Sequence, residues 1–469
     1  MSGGSSLPVL SRGQDSAVPA VRMVHLGLGN FFRAHQAWYT DRAPDAQDWG
    51  IAAFTGRRPD MAEALAPQDG LYTLVTRHAD EDVMHVVGSV VAVHTADEHE
   101  TWLDYLRSPE VAVITLTVTE AGYLRTSEGG LDAENDDVRA DVAALQADPT
   151  AVVRTTPGRL VAGLLARRSA AAGRITILPC DNLPENGAAV ATVVGELAEL
   201  VRPGLWAQLE EMATYATTMV DRITPRTTTE VHEAVRRATG YADASPVATE
   251  PFSEWVISGE FPAGRPRWEH AGAQLVPDVA PFEQRKLWLL NGSHSLLAYA
   301  GSARGHETVD EAIADPQCRS WVQQWWDEAS SHLSLSADEV APYREALLER
   351  YRNPRIRHLL AQIAADGSQK LPVRILPTVR AERAAGRVPR AAALVIGAWV
   401  LYLRGHGAPV SDTSAERLQA AVEGPLDGAV RAVLGFLDDG LERDEELVRD
   451  VLRSVGELGG TRARARSAR

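Results

Sequence analysis

The sequence predicts an α/β domain built on a doubly wound, mostly parallel sheet, followed by a mainly α-helical domain. Up to about residue 280, short β-branched runs alternate with Ala- and Leu-rich segments of helical spacing. Beyond that point the apolar segments all have a helical period and are separated by Pro, Gly or Asp. The length of 469 residues is also typical of two or three domains.

Four segments of the first domain predict buried strands. Each is a nearly continuous apolar run that ends in Gly or in polar residues, which is typical of parallel strands covered on both faces. They are VRMVHLGLG (21–29), WGIAAFTG (49–56), VAVITLTVTE (111–120) and RITILPCDN (174–182). The helices between them are predicted at MAEALA (61–66), RLVAGLLARRSAAAG (159–173) and AAVATVVGELAELV (188–201).

The predicted domains are residues 19–282 and 283–458. Helical segments of the second include KLWLLNGSHSLLAYAG (286–301) and AAALVIGAWVLYL (391–403). The latter run is the most apolar, but its roughly 13 residues fall short of the ~20 that a membrane helix needs, so a buried helix is predicted. The Gly/Ser-rich residues 1–18 and the basic residues 459–469 are expected to be flexible.

The net charge and the cysteine content restrict the binding partners and the compartment expected for this protein. The net charge of −16 argues against a nucleic acid or an anionic membrane, which require a basic face, although a local cluster of Arg or Lys can still bind a small anion. Cys180 and Cys318 are too few for a disulfide framework or a Cys-based zinc site, which favours a reducing cytoplasm. The N-terminus has no apolar run typical of a signal peptide.

The first predicted strand runs into the stretch GLGNFFR (27–33). In a dinucleotide-binding loop the first glycine permits a tight turn and the second lets the backbone approach the pyrophosphate at a helix N-terminus, and Gly27 and Gly29 fit these roles. The third position normally holds a small residue, but here it is Phe32, which should displace or turn the helix. An ordinary structural turn is therefore the alternative.

Other residues near this loop are candidates for cofactor binding. Asn30 and Phe31 directly follow Gly29, and Arg33 could reach a phosphate. Arg57 and Arg58 stand at the end of the second strand, where an acidic ribose partner is usual. Arginine at this position suits the 2′-phosphate of NADP, although the two arginines could instead form a solvated basic turn. Asp60 is a further candidate for binding the ribose. The choice between NAD and NADP therefore stays open.

The opening stretch GLGNFFRAHQAWYTD (27–41) resembles the GxGxFxRAHQAxY motif of the long-chain mannitol dehydrogenase family. This family includes mannitol 2-dehydrogenase, fructuronate reductase (mannonate oxidoreductase) and arabinitol dehydrogenase. The resemblance explains Phe32, because the family's loop has a large residue there. Further matching segments, in chain order, are residues 68–75, 116–123, 179–187, 218–225, 250–257, 286–301 and 352–377.

The resemblance implies a Rossmann-type nucleotide-binding domain and an NAD(P)-dependent oxidoreductase. It would interconvert a secondary alcohol and a ketone of a hexitol or hexonate, with NAD as cofactor and NADP as the alternative, and without a metal. Its partner would be a small sugar alcohol or sugar acid, and the protein a monomer or small homo-oligomer. The alternatives are an enzyme acting on a phosphorylated substrate, as mannitol-1-phosphate 5-dehydrogenase does, a non-redox enzyme, or a non-catalytic nucleotide-binding regulator.

Candidate catalytic residues lie in KLWLLNGSHS (286–295). On an α-helix of 100° per residue, Lys286, Asn291 and His294 fall within about 140° of arc. A lysine beside apolar neighbours has a lowered pKa and can act as a general base, although a surface Lys with a core His is the structural alternative. The resemblance implies that Lys286 is the base, that Asn291 stabilises the alkoxide and that His294 orients the substrate.

Two further sets of residues complete the candidate site. Asn182 ends the fourth predicted strand, where open α/β sheets bind ligands, and the resemblance implies a second amide donor there; an Asx turn is the alternative. Lys370 and Arg374 in DGSQKLPVR (366–374) could hold the far end of the substrate. If that end is a carboxylate, Arg374 could bind it through bidentate hydrogen bonds. Alternatively, Lys370 and Arg374 are ordinary charged residues on a helix surface.

Overall fold

The structure is a computed structural model that describes residues 7–13 and 17–467, with side chains described up to residue 459. It divides the chain into two compact units, Met1–Ala280 and Pro281–Arg469. Among the described residues, twelve strands lie in the first unit. They are β1 (Val21–Leu26), β2 (Gly50–Phe54), β3 (Tyr72–Arg77), β4 (Asp82–Val87), β5 (Val90–His94), β6 (Val113–Leu116), β7 (Ile175–Pro179), β8 (Ala213–Tyr215), β9 (Thr217–Asp221), β10 (Val247–Thr249), β11 (Glu254–Ser258) and β12 (Gln274–Leu275).

The main sheet of the first unit has six strands in the order β5-β2-β1-β6-β7-β8. Every neighbouring pair is parallel. Counted within this sheet the order is 3-2-1-4-5-6, which is the order of the Rossmann fold. The predicted fold class is therefore confirmed. The strand order reverses between β1 and β6, and ligands of such sheets bind at the carboxyl ends of the strands at this point.

The sheet is buried on both faces, as its apolar strand sequences predict. In β1, Met23 belongs to one hydrophobic core, whereas Val24 and Leu26 belong to the core on the other side of the sheet. This division follows from the two-residue period of a strand, since successive side chains point to opposite faces. The helices that accompany the sheet are α1 (Asn30–Ala34), α2 (Gln36–Arg42), α3 (Asp60–Leu65), α4 (His99–Arg107), α5 (Asp136–Ala147), α6 (Thr156–Ser169), α7 (Asn186–Val201), α8 (Trp206–Leu209) and α9 (Thr229–Thr239).

Two small sheets were not predicted from the sequence. One has the order β10-β3-β4 and the other β12-β11-β9. Their strands are short, and β10 pairs with β3 across a long sequence separation, with Val247 opposite Leu74. Local periodicity does not reveal such pairings, because the partner strand that buries each segment is distant in the chain.

The second unit is helical, as predicted. Its helices are α10 (Ala280–Arg285), α11 (Gly292–Leu296), α12 (Val309–Ala314), α13 (Pro316–Ser330), α14 (Ala337–Tyr351), α15 (Leu360–Ala364), α16 (Gly367–Arg374), α17 (Leu376–Ala384), α18 (Arg390–Leu403), α19 (Ala415–Ala421), α20 (Leu426–Leu437) and α21 (Glu445–Ser467). From Ala391 to Leu403, every residue of α18 is buried. Among the described residues, none of the helices combines the length and apolar character that crossing a bilayer requires.

The structure describes parts of the two terminal segments that the sequence predicts to be flexible. Residues 7–13 are held to the first unit, because Arg12 donates to the carbonyl oxygens of Gly88 and Val90 at 2.7 and 2.8 Å. Val9 also forms a bridge with Ala242. At the other end, α21 continues to Ser467 and so includes most of the predicted loose tail. Residues 1–6, 14–16 and 468–469 of these predicted segments lie outside the described residues.

Phe32 turns the helix that follows the first strand, as its size predicts. Its ring is fully buried and stacks on His25 of β1, with ring centroids 3.5 Å apart and planes 7° from parallel. The helix breaks at His35, whose backbone angles are φ −123° and ψ −90°, and restarts as α2. The phenylalanine is therefore part of the core beneath the loop.

Replacing Phe32 with glycine would restore the small third residue of the usual fingerprint, but we expect it to destabilise the protein. Removing a fully buried aromatic ring costs about 3–5 kcal/mol, and here it also exposes one face of His25. Denaturant unfolding of Phe32→Gly should show this loss of free energy of unfolding. The half-buried neighbour is the control: Phe31→Ala should lose clearly less stability. Equal losses would contradict the packing role of Phe32.

Candidate active site

The turn after β1 is shaped by close contact with β6. Gly27 has φ +111°, and a Cβ atom there would lie 2.3 Å from the carbonyl oxygen of Thr117. The backbone N–H groups of Gly27 and Leu28 both donate to the carbonyl oxygen of Phe54 at 3.0 Å. The ends of β1, β2 and β6 therefore meet at this turn, and only glycine fits at position 27.

The second glycine borders open space. Gly29 is the N-cap of α1 in an extended conformation, and a Cβ atom there would meet only the carbonyl oxygen of Gly27, at 3.6 Å. Asn30 accepts a hydrogen bond from Arg33 through Oδ1 at 2.6 Å. Phe31 stacks on His35, with ring centroids 5.0 Å apart. The protein itself therefore does not require glycine at position 29, which leaves room for a ligand against the backbone.

Arg33 does not have the position that the sequence predicted. Instead of reaching for a phosphate, its side chain is buried, with 1% exposed, and donates to Ser245, Asn30 and the Gly29 carbonyl. It also lies over the ring of Tyr72. Burial lowers the pKa of the guanidinium to about 10. The prediction is wrong because the break at His35 and the packing of Phe32 turn Arg33 into the interior.

A cavity of about 820 Å³ lies at the carboxyl ends of the central strands. Its walls include the Gly27–Leu28 turn and Gly56–Arg57 after β2, so one of the two arginines predicted there lines it. Arg58 is exposed and is not among its lining residues. The remaining lining residues are Leu26, Thr117, Val118, Thr119, Ala121, Gly122, Leu124, Asp137, Arg154, Thr155, Thr156 and Arg159.

Sequence reasoning missed the part of this cavity that surrounds the start of α6. Thr155 is the N-cap of that helix, and its hydroxyl oxygen accepts from the N–H of Gly158 at 2.9 Å. Arg154 and Arg159 flank it. The Thr-Thr-Pro helix start in RTTPGR (154–159) could have signalled a helix N-terminus at a ligand site.

A second cavity, of about 520 Å³, shares Thr117, Val118, Thr119 and Ala121 with the first. Asn182 lines it, at the position after β7 that the sequence predicted, together with Phe31, Glu120, Cys180, Asp181 and Val220. The carboxylate of Asp181 accepts from the Tyr123 hydroxyl and the Leu183 N–H. Burial raises the pKa of Asp181.

In the second unit, the stretch with the candidate catalytic residues is not a regular α-helix. Residues Lys286–Asn291 and Leu297–Gly301 form wide π-helical turns on either side of α11, and the N–H of Gly292 bonds back to Leu287. The arc calculated for a regular α-helix is therefore wrong. Because a π turn bonds residue i to i+5, it rotates less per residue than an α-helix and brings Lys286 and Asn291 closer to the same side of the helix. Both side chains are half-buried.

His294 is buried, and in the described part of the chain its Nε2 atom has no hydrogen-bond partner. Its ring packs against Tyr351 and His358, with both centroid distances at 5.0 Å. Burial lowers the pKa of His294 well below its usual value, and the nearby His358, Arg350 and Arg374 lower it further. The imidazole is therefore neutral at physiological pH. Tyr351 was not predicted, and no local sequence signal identifies it.

The two predicted substrate-binding residues differ in their surroundings. Arg374 donates to the carbonyl oxygen of Asn291 at 3.3 Å and to Ser295 Oγ at 3.2 Å, so it lies beside the candidate catalytic helix. Lys370 donates to the carbonyl oxygens of Ile363 and Ala365 at 3.2 and 2.6 Å. The structure therefore places Arg374 next to Asn291, whereas the ammonium group of Lys370 caps neighbouring backbone.

One group of residues in the second unit could offer metal ligands, although the sequence predicted none. His306, Asp315 and Cys318 bring their ligand atoms within 4.8 Å of one another. Asp315 is already paired, however, with Arg304 Nε at 2.6 Å and His306 Nε2 at 3.1 Å. Although burial opposes ionisation, these hydrogen bonds lower the pKa of Asp315 to about 2. The arrangement is that of an ion pair at the start of α13.

Because His294 is buried in its neutral form, the stability of the protein should depend on pH. The folded-state pKa is lowered, whereas the unfolded value is about 6.5, so below that pH only the unfolded state gains a proton. Stability should fall as the pH drops below about 6.5, by up to ~1.4 kcal/mol per pH unit for this group. Denaturant unfolding between pH 7 and 5 should show a smaller slope for His294→Gln. Equal slopes in the two proteins would contradict neutral burial.

Comparison with known proteins agrees with this arrangement. Residues 21–270 match the model of the mannitol dehydrogenase Rossmann domain, and residues 278–458 match the model of the mannitol dehydrogenase C-terminal domain. D-mannonate oxidoreductase of Escherichia coli strain K12 is 38% identical over 411 residues, which cover 86% of this chain and 84% of that protein. Mannitol 2-dehydrogenase of Aspergillus fumigatus strain CBS 144.89 is 34% identical, covering 93% and 90%.

A solved structure shows the same relationship. The ternary complex of Pseudomonas fluorescens mannitol 2-dehydrogenase with NAD and D-mannitol is 32% identical and covers 97% of this chain and 94% of its own, with a TM-score of 0.75. The matches span both units. The chain therefore belongs to the mannitol dehydrogenase family and is an oxidoreductase.

Proposed function

We propose that the protein is an NAD(P)-dependent dehydrogenase that interconverts a secondary alcohol and a ketone of a hexitol or hexonate. The observation that carries the proposal is the 820 Å³ cavity at the reversal of a Rossmann-type strand order, bordered by the tight Gly27 turn. Its size and position suit an extended dinucleotide. The relatives named mannitol 2-dehydrogenase and D-mannonate oxidoreductase support the same class of substrate.

The residues around the loop fit a dinucleotide. Gly29 leaves space in front of the backbone at the N-terminus of α1, where a pyrophosphate would be held. NAD is the proposed cofactor, supported by the complex of the Pseudomonas fluorescens relative. When bound, the nicotinamide supplies hydride transfer. Phe31 and Asn182, which line the adjoining cavity, would then border the reacting end of the cofactor.

The proposed catalytic groups handle the proton and the charge on oxygen. We assign Lys286 as the general base in alcohol oxidation and as the acid in reduction. The amide of Asn291 donates a hydrogen bond to the oxygen on which negative charge develops. His294, held neutral by its burial, offers Nε2 to a substrate hydroxyl without adding a second positive charge next to Arg374.

The substrate is proposed to be unphosphorylated, and the position of Arg374 favours one with a carboxylate. A guanidinium beside Asn291 can bind a carboxylate with two parallel hydrogen bonds. The direct test is a substrate panel of fructose, fructuronate, tagaturonate, arabinitol and fructose 6-phosphate, with reduced or oxidised cofactor as each requires. We expect turnover to be highest with fructuronate or tagaturonate. Turnover of none of the panel would refute the proposed activity.

Removing the proposed base should abolish most turnover. For Lys286→Ala we expect kcat to fall by about 10²–10⁴-fold, the usual contribution of a general acid–base group, with little change in cofactor affinity measured by fluorescence. Lys286→Arg is the matched control, because it retains the charge but cannot lose a proton near neutral pH, and it should be equally inactive. A small primary amine should partly restore Lys286→Ala. Activity of Lys286→Ala within tenfold of wild type would rule out this role.

Arg374 should discriminate between acidic and neutral substrates. A hydrogen bond to a charged group contributes about 1.5–3 kcal/mol, so Arg374→Met should raise KM for a sugar acid by roughly 10–100-fold. The effect on KM for a neutral ketose should be much smaller. Arg380→Met, which removes an exposed arginine paired with Asp438, is the control and should change neither value. Equal effects on both substrates would show that Arg374 only supports the helix.

A further inference from the structure

The lining of the large cavity of the first unit is rich in positive charge. Three arginines, Arg57, Arg154 and Arg159, line it together with a single acid, Asp137. Arg57 follows β2, whereas Arg154 and Arg159 lie at the start of α6. If the proposed function is correct, the end of β2 is where the adenosine ribose of the cofactor lies. Arg57 therefore borders the adenosine end, and Arg154 and Arg159 line the same cavity.

Arg159 is the most informative of the three. Its side chain is only 4% exposed, and within the part of the chain that the structure describes its Nε atom has no hydrogen-bond partner. A buried guanidinium without a partner costs free energy, which a bound anion would recover. Asp141 and Asp97 lie close enough to stabilise its charge.

Neither nearby acid acts as a hydrogen-bonded partner for Arg159. The carboxylate of Asp141 accepts from the N–H groups of Arg154 and Thr155 and from the Thr155 hydroxyl, and so holds the start of α6. Asp97 accepts from the hydroxyl of Thr95. Neither acid therefore engages the guanidinium of Arg159 in a hydrogen bond.

The other two arginines add positive charge to the lining of the same cavity. Arg57 and Arg154 are both exposed. Arg57 occupies the position at the end of β2 where an acid normally accepts hydrogen bonds from the ribose hydroxyls. Asp60, the remaining acidic candidate, is exposed on α3 and is not among the lining residues. The cavity thus offers donors and positive charge, which a bare ribose does not need.

We infer that Arg159, Arg57 and Arg154 form a binding site for the 2′-phosphate of NADP, so that the enzyme accepts NADP(H) as well as NAD(H). Guanidinium groups bind phosphate oxygens with paired, charge-assisted hydrogen bonds. A phosphate on the ribose would provide hydrogen-bond acceptors for the guanidinium of Arg159. This inference rests on the proposed function, because it assumes that the cavity holds a nicotinamide dinucleotide.

Binding of two adenosine nucleotides tests the inference without turnover. Adenosine 2′,5′-bisphosphate and 5′-AMP differ only in the 2′-phosphate, and calorimetry should show the bisphosphate binding at least about tenfold more tightly, as one hydrogen bond to a charged group predicts. In Arg159→Met, affinity for the bisphosphate should fall by roughly 10–100-fold, with little change for 5′-AMP. Steady-state kinetics should show KM for NADPH rising while KM for NADH stays nearly constant.

Two further variants keep the test decisive. Arg57→Ser changes an exposed side chain, so it should fold normally and weaken the bisphosphate in the same selective way, even if Arg159→Met does not fold. Arg168→Met removes an equal charge from an exposed position on the same helix and should change neither affinity. Equal affinity of the wild type for the two nucleotides would overturn the inference. So would variants that weaken both nucleotides alike, as expected if Arg159 stacks on the adenine.

The inference and the proposed function can fail separately. Selective binding of the bisphosphate without turnover of any panel sugar would support the phosphate site and refute the proposed activity. NADH-dependent reduction of a sugar without any preference for the bisphosphate would support the activity and refute the phosphate site.

Discussion

The contact between Gly27 and Thr117 is the constraint on which the 820 Å³ cavity of the first unit depends. The strands β1 and β6 approach so closely at their carboxyl ends that no side chain fits at position 27. Hydrogen bonds close the same region, because the N–H of Thr117 donates to Leu26 at 3.0 Å and its hydroxyl donates to the Gly27 carbonyl at 2.8 Å. Since residues 117–119 and 121 line both cavities, this contact sets the wall that the two share.

A buried histidine explains how the loop accommodates an aromatic residue at the third fingerprint position. His25 lies within the sheet, and its ring nitrogens form hydrogen bonds with Thr115 Oγ1 at 2.8 Å and Thr117 Oγ1 at 3.1 Å. Burial lowers the pKa of His25 to about 3, so the ring is neutral and can pack against Phe32. The short helix that results directs Arg33 inward, where it ties the loop to Ser245.

Buried cationic or titratable groups have two different uses in this protein. Arg33 and Arg222 donate to backbone or side-chain oxygens within the first unit and thereby hold distant segments together, since Arg222 bonds to Ala34 and Glu250. In contrast, His294 in the second unit is buried with an unpartnered Nε2 among the described residues. A group whose hydrogen bonds are complete supports the fold, whereas one with an open donor or acceptor is suited to a ligand.

Much of the fold was predictable because strands and helices depend on near neighbours in sequence. Runs such as VRMVHL in β1 signal a strand buried on both faces, and the family motifs in chain order identified the oxidoreductase class. The candidate residues Asn182 and Arg57 each directly follow a predicted strand, and each lines a cavity. The small sheets were missed, because their strands find partners far along the chain.

The sequence by itself determined the domain types, the tight turn at Gly27 and the chemical groups available to the site. Only the tertiary structure decided which of several similar residues faces a ligand. Arg33 donates a hydrogen bond to Ser245, 212 residues away, and is buried in the interior, whereas Arg159 lines the cavity. The wide turn from Lys286 to Asn291 likewise departs from the regular helix that the periodicity predicts. The physical reason is that backbone periodicity is a local property, whereas the direction of a side chain depends on the packing of segments that are distant in sequence.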